Sequence, residues 1–244
     1  MRRTSLVLFF GALVCASLQA VPFPQLAVGG GYECVIIVTS KVQAPFEGDL
    51  ILREGNGAEW STPFQVNGQP SAGAAIDVNL PALGTAKYVL TGGATYRVGY
   101  LEVYGSGPHT GDDIAVAVFY NYHSGGHIVD SVGVPRSYQY LAQLFPVERS
   151  AAVDTAFAWA RFGITPAFDV TLTLYNAQGT QVQQKTVAFE GHTAKFFSEV
   201  FDNVPNGFVG HVRATSPQAI AIAVLRLDLT RLQLTSTPST MVAQ

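Results

Sequence analysis

The chain has 244 residues, with 14 Lys and Arg against 17 Asp and Glu and an apolar share of 48%. That balance excludes the basic footprint that draws a protein to nucleic acid or anionic lipid. Only 13% of the residues are charged, so a large share of the chain must lie in a core or an interface.

At the amino end, MRRTSLVLFFGALVCASLQA carries Arg2 and Arg3, an apolar run from Leu6 to Leu18 and small residues ending at Ala20. This is the layout of a secretory signal, with residues 1–20 predicted to be removed. No later segment has the length of apolar sequence that a membrane helix needs. Loss of the signal leaves twelve cations against seventeen carboxylates, a net charge of −5. It also removes Cys15 and leaves Cys34 alone, so no internal disulfide supports the mature chain. Cys34 lies in the apolar run YECVIIVTS and reads as a small buried hydrophobe.

The segment from residue 29 onward reads as strands. GGG at 29–31 lacks the following helix and lysine of a phosphate loop and leads into the first predicted strand. Then come YECVIIVTS, GDLILRE, AIDVNL, AKYVL, RVGYLEVY, DIAVAVFYNYH and HIVDSVGV, separated by Gly, Pro, Asn and Ser. HTGDD at 109–113 reads as a polar turn, because a calcium loop needs six or more spaced oxygens. PRSYQYLAQLFPVERS at 135–150 is too apolar for a free tether and is predicted to pack between two halves. The second half repeats the rhythm with TAFAWARF, FDVTLTLY, TQVQQKTVAF, FVGHVRATS, AIAIAVLRLDL and RLQLTSTP, and AKFFSEVF at 194–201 reads as a short helical turn.

The halves also match each other in order. IAVAVF at 114–119 returns as IAIAVL at 220–225, VGYLEVYGSG at 98–107 as VGHVRATSPQ at 209–218, and GTAKYVL at 84–90 as HTAKFFS at 192–198. FEGDLILREGNG at 46–57 more loosely resembles FDVTLTLYNAQG at 168–179. The expected fold is therefore all-β: two tandem antiparallel β-sandwiches related by internal duplication, residues 21–137 and 138–244, each of immunoglobulin-like size and rhythm. In the second, Ala221, Ala223, Leu225, Leu227 and Leu229 share one strand face, and Ile220, Ile222 and Val224 make the other apolar early on. Two apolar faces on one strand predict contact between the units.

Candidate chemistry is sparse. In NYHSGGHIVD, a loop of Ser124, Gly125 and Gly126 would bring His123 and His127 together on one face, about 5 Å apart. Two imidazoles lack the third ligand of a stable metal site, and Asp130 falls on the opposite face. No cofactor is expected. No G-x-S-x-G elbow occurs, and Ser131 has no marked partner. Trp60, Tyr100, Tyr104, Tyr120 and Tyr122 could stack sugar rings or fill a core. Trp159 shares a face with Phe157 and reads as core.

The motifs FPQLAVGGGYECVIIV, NGFVGHVRATS and IAIAVLRLD resemble those of uncharacterised exported bacterial proteins built from paired immunoglobulin-like sandwiches. That resemblance implies architecture and export and no catalytic residues. The chain is also similar in size and export to periplasmic pilus chaperones, which grip a partner's carboxylate with an arginine and a lysine. Here YECVIIVTSK offers only Lys41. The expected function is that of a secreted, periplasmic or cell-surface structural or adhesive module without enzymatic activity, its partner a protein or cell-surface component. Carbohydrate binding is the competing expectation, with His123, His127, Trp60, Tyr120 and Tyr122 as the candidate surface.

Overall fold

In the computed structural model the described residues are 20–161, 166–231 and 233–242. The predicted signal lies outside them except for Ala20, as do Phe162 at the end of TAFAWARF and Leu232 within RLQLTSTP. The fold is all-β, built of antiparallel sheets, with, among the described residues, one 3₁₀ turn at Gly111–Asp113 and one helical turn, α1 (Phe197–Val200). That turn falls within the segment predicted to be helical. No helix among the described residues is long and apolar enough to cross a membrane.

The first ten strands are β1 (Val21–Val28), β2 (Tyr32–Ser40), β3 (Phe46–Glu54), β4 (Thr62–Val66), β5 (Gln69–Gly73), β6 (Ala75–Leu80), β7 (Thr85–Leu90), β8 (Arg97–Gly105), β9 (Ile114–Ser124) and β10 (His127–Val134). They form one sheet in the order β1-β8-β3-β6 and a second in the order β10-β9-β2-β7-β4-β5. Period-2 alternation sets which side faces in. Along β6, Ile76, Val78 and Leu80 are buried while Ala75, Asp77 and Asn79 are exposed. From β2, Cys34, Ile36 and Val38 meet Leu50, Leu52, Leu101 and Val103 of the opposite sheet in one core. An immunoglobulin sandwich pairs several consecutive strands within a sheet. Among β1–β8 only β4 and β5 do so, and the order is that of a jelly roll, in which the chain crosses between layers.

The other strands are β11 (Tyr140–Arg149), β12 (Val153–Ala160), β13 (Phe168–Asn176), β14 (Gln181–Phe189), β15 (His192–Phe196), β16 (Phe208–Asp228), β17 (Gln233–Thr237) and β18 (Thr240–Met241). β16 is a single strand of 21 residues, where the sequence predicted two. Its first part pairs with β11 and β13 and its second with β12 and β17, so it belongs to both sheets. The crossing falls near Ser216–Pro217–Gln218, where the Ser216 hydroxyl bonds the Gln218 carbonyl and the register with β11 slips. A bend of this kind lets one strand turn the corner of a sandwich.

The two strand orders correspond. β1-β8-β3-β6 is matched by β11, early β16, β13 and β14, and β10-β9-β2-β7 by β17, late β16, β12 and β15. Each of the four sequence matches lies largely on strands holding the same place in these orders.

The segment predicted to link the halves is mostly β11, whose Phe145 and Val147 enter the second core. It could not pack as a linker because its main chain is committed to pairing with β16. Only residues 135–139 connect, and there the Ser137 hydroxyl accepts the Ile222 amide at 3.0 Å. The predicted contact through β16 is present. Ile220, Ile222 and Val224 fill the second core, whereas Ala223 and Leu225 join the first. β1 is buried along its whole length, since it lies against β12 and β16 as well as its own core.

Candidate functional site

A groove of about 530 Å³ runs along the junction of the two regions. That is the size range of ligand pockets. One wall is the end of the first sandwich. Parity with Cys34 and Tyr120 turns Tyr32 of β2 and Tyr122 of β9 inward, directly opposite each other, where the core runs out. Tyr96, just before β8, completes the cluster. Ring centroids lie 4.9 Å apart for Tyr32 and Tyr122 and 5.4 Å for Tyr32 and Tyr96. The other wall is the face of β12, β15, β16 and β17 that looks away from the second core, with Phe196, Leu225, Leu227 and Leu234 around small alanines.

Burial, with Tyr122 and Asp130 nearby, raises the Tyr32 hydroxyl pKa, and burial with Tyr32 raises that of Tyr96. Both phenols therefore stay protonated near neutrality and act as hydrogen-bonding groups. Among the described residues, the polar side chains of the lining belong to Tyr, Gln25, Lys195 and Glu199, with no Ser, Thr, Cys or His. Glu199 is already engaged, accepting the Phe196 amide at 2.6 Å. Such a lining is suited to holding a partially apolar ligand.

Gln25 also belongs to a polar seam beside the groove. Its side-chain oxygen is 3.1 Å from Nε2 of His192. The imidazole stacks on Tyr100 at 5.9 Å, and the His192 amide donates to the Gly55 carbonyl at 2.9 Å. Burial lowers the His192 pKa to about 4, partly offset by a hydrogen bond with the Pro24 backbone.

Of the surface predicted from sequence, the structure brings only Tyr122 into the groove. Trp60 is 1% exposed, part of the first core and covered by the Arg97 guanidinium at 4.7 Å from its ring. Tyr120 is buried, and its hydroxyl donates to the Gln25 carbonyl. Neither presents a ring to solvent, because both lie within a sandwich interior. Tyr100 is buried at the seam, and Tyr104 donates to Glu102 at 3.0 Å.

The histidine hairpin also differs from its expected form. Gly125 and Gly126 both take positive φ, 59° and 81°, and make a two-residue turn closed by Ser124 opposite His127. His123 then faces Ile128, and the two imidazoles point to opposite faces of the ribbon. His123 lies 3.7 Å from Glu33 instead. Among the described residues no three His, Cys, Asp or Glu side chains group as metal ligands. In HTGDD, Asp113 caps the 3₁₀ turn through the Thr110 amide at 2.7 Å, and Asp112 pairs with Arg136. Cys34 is fully buried, which pushes its thiol pKa up.

Tyr32, Tyr96, Phe196 and Leu234 were not singled out from sequence, and Leu225 and Leu227 were named only as part of an apolar strand face. Tyr32 had a signal, its alternation with Cys34, but Tyr96 lies outside any periodic run.

No protein-family model matches the chain, and no curated protein does. Among solved structures it is similar to procruciferin, an 11S globulin from Brassica napus, at 10% identity over 90% of this chain and 77% of that one, with a TM-score of 0.24. A likeness that slight carries no argument about fold or function.

Proposed function

We propose that the chain is an exported, non-enzymatic interaction module whose contact surface is the groove between its two regions. The observation that carries this reading is the tyrosine-lined, apolar groove, whose polar groups can orient a ligand and, among the described residues, include no Ser, Thr, Cys or His. Its partner is a protein or other cell-surface component. The two regions, 21–137 and 138–244, descend on this reading from one sandwich unit by duplication. Their corresponding strand orders support that descent. The immunoglobulin-like part of the expectation is kept only as two antiparallel sheets packed face to face.

Carbohydrate is the second reading, favoured by Tyr96, which is 52% exposed at the groove. A pilus-chaperone role finds less support, since Lys41 is not among the groove's lining residues and no arginine lines it. The test is surface plasmon resonance of residues 21–244 against panels of extracellular proteins and glycans. Tyr96→Ala and Leu227→Asp should each weaken binding of a true ligand tenfold or more. A ligand bound equally well by both variants would place the contact surface elsewhere, and glycan-only binding would favour the second reading.

A further inference from the structure

The seam beside the groove holds a histidine with an unusual set of neighbours. His192 is 7% exposed, and three different elements of the first region hold it. β1 supplies the Gln25 side chain, β8 the face of Tyr100, and the loop after β3 the Gly55 carbonyl. The approach is close enough to require glycine before it. Gly191 has φ +116°, and a Cβ there would lie 3.1 Å from the Gly55 carbonyl oxygen and from the Gly57 nitrogen. The Tyr100 hydroxyl is buried with no hydrogen-bond partner among the described residues, and of the groups around the ring the Pro24 backbone offsets only part of the burial that disfavours charge.

We propose that this seam is an acid-released clasp, in which protonation of His192 expels the imidazole from its slot against Tyr100 and Gln25 and loosens the junction that forms the groove. The neutral ring can give one N–H to Gln25. A second proton adds a full charge to a buried site, which is costly without a paired carboxylate. Nearby charged groups do not supply one. On the face of β3 and β8, Arg53 is paired with Glu102 at 2.5 Å, and Glu54 with Arg97 at 2.5 Å. β1 contributes only Pro24 and Gln25, neither of them titratable. Tyr100 is neutral below its raised pKa. On the histidine's own side, the charged residues nearest in sequence are Glu190 and Lys195, and Arg161 donates its amide to the Gly191 carbonyl. Gln25 lines the groove as well as bonding His192, so release at the seam disturbs the groove wall directly.

The sign follows from linkage. A histidine whose pKa is lower in the closed state than in the open one binds fewer protons when closed, so the closed state loses stability as pH falls from about 6.5 toward 4. Between pH 7.5 and 5 the open fraction should rise about 25-fold.

The experiment is hydrogen exchange of residues 21–244, corrected for the intrinsic pH dependence of exchange, with NMR titration of the His192 ring in the same protein. Amides of β1 and β15 should lose protection on acidification by about that factor, while those of β13 and β14 change little. His192→Gln, which keeps an N–H for Gln25, should flatten the response, and His192→Asn serves if the glutamine variant does not fold. An imidazole titrating near 6.5 in the folded protein, or an unchanged response in the variant, would overturn the clasp. The readout needs no groove ligand, so it stands or falls apart from the proposed function.

Discussion

The first and second regions place equivalent strands in equivalent positions but close their sandwiches differently. In the first, β4 and β5 extend a sheet beyond β7, and the 3₁₀ turn Gly111–Asp113 separates β8 from β9. Among the described residues of the second no such hairpin lies beside β15; α1 follows it, and Phe197 and Phe201 plug the core. β16 there runs on as one bent strand where the first region uses two. The first core is also completed by Ala223 and Leu225 of the second region. Among the described residues, the second core contains none of the first region. Sheet order can therefore be shared while the sources of stability are not, and the second region is the more self-contained of the two.

The sharpest test uses the single tryptophan that each region buries. Trp159 is fully buried and stacks on Phe157 at 5.4 Å, inside the second core. Trp159→Ala should cost about 4 kcal/mol, the usual scale for emptying a large aromatic site. Trp60 then remains as the only tryptophan and reports the first region by fluorescence during urea unfolding. Because Leu225 of the second region packs in the first core, loss of the second region should also lower the midpoint seen by Trp60. An unshifted Trp60 transition would mean that the regions unfold independently.

Ion pairs separate the regions by a smaller margin. Arg53 and Glu102 are paired in the first with side chains only 10% and 0% exposed, whereas Arg226 and Glu148 in the second are 41% and 40% exposed. Glu102→Gln leaves a buried guanidinium without its counter-charge and should cost about 3 kcal/mol. Glu148→Gln should change stability by less than about 0.5 kcal/mol, since water screens an open pair. Chemical denaturation of the two variants side by side checks this, and equal losses would mean that the buried pair is no more consequential than the open one.

Much of this contrast was legible in the sequence where strands are regular. β2, β6 and β10 match their predicted limits, because YECVIIVTS, AIDVNL and HIVDSVGV combine β-favouring residues with clear boundaries. The two apolar faces of the strand from Ile220 to Leu225 correctly announced a contact between regions. β1 was missed because Pro22 and Pro24 remove two donors. An edge strand paired only with β8 and slipping register between Phe23 and Leu26 accommodates them. β4 and β5 were missed because TPFQV and QPSAG are short, mostly exposed and rich in residues that break strands. The groove was mostly hidden, since its walls combine side chains scattered from Gln25 to Tyr122 with others scattered from Ala156 to Leu234. Trp60, which the sequence left as either a sugar-stacking or a core aromatic, lies in the core, drawn inward by packing that no local pattern records.

The smallest expected effect lies where the corresponding hairpins differ most in sequence. β9 and β10 are joined by Gly125–Gly126, whereas β16 turns toward β17 with the Asp228 carboxylate accepting the Thr230 amide at 2.8 Å and the Arg231 amide at 3.1 Å. Glycine conformation holds the first turn and a side chain holds the second, so the histidines flanking the first do not maintain it. His127 is exposed, and the partly exposed His123 side chain lies 3.7 Å from a partly exposed Glu33. Replacing either with alanine should shift stability by less than about 0.5 kcal/mol, the ordinary range for surface sites. Gly126→Ala should cost about 1 kcal/mol although a Cβ there meets nothing within 4 Å, because φ is +81°. Added zinc should leave the thermal midpoint of the wild type unchanged, since the two rings face apart. A zinc-dependent rise abolished by His123→Ala would mean that the ribbon can twist enough to bring them together.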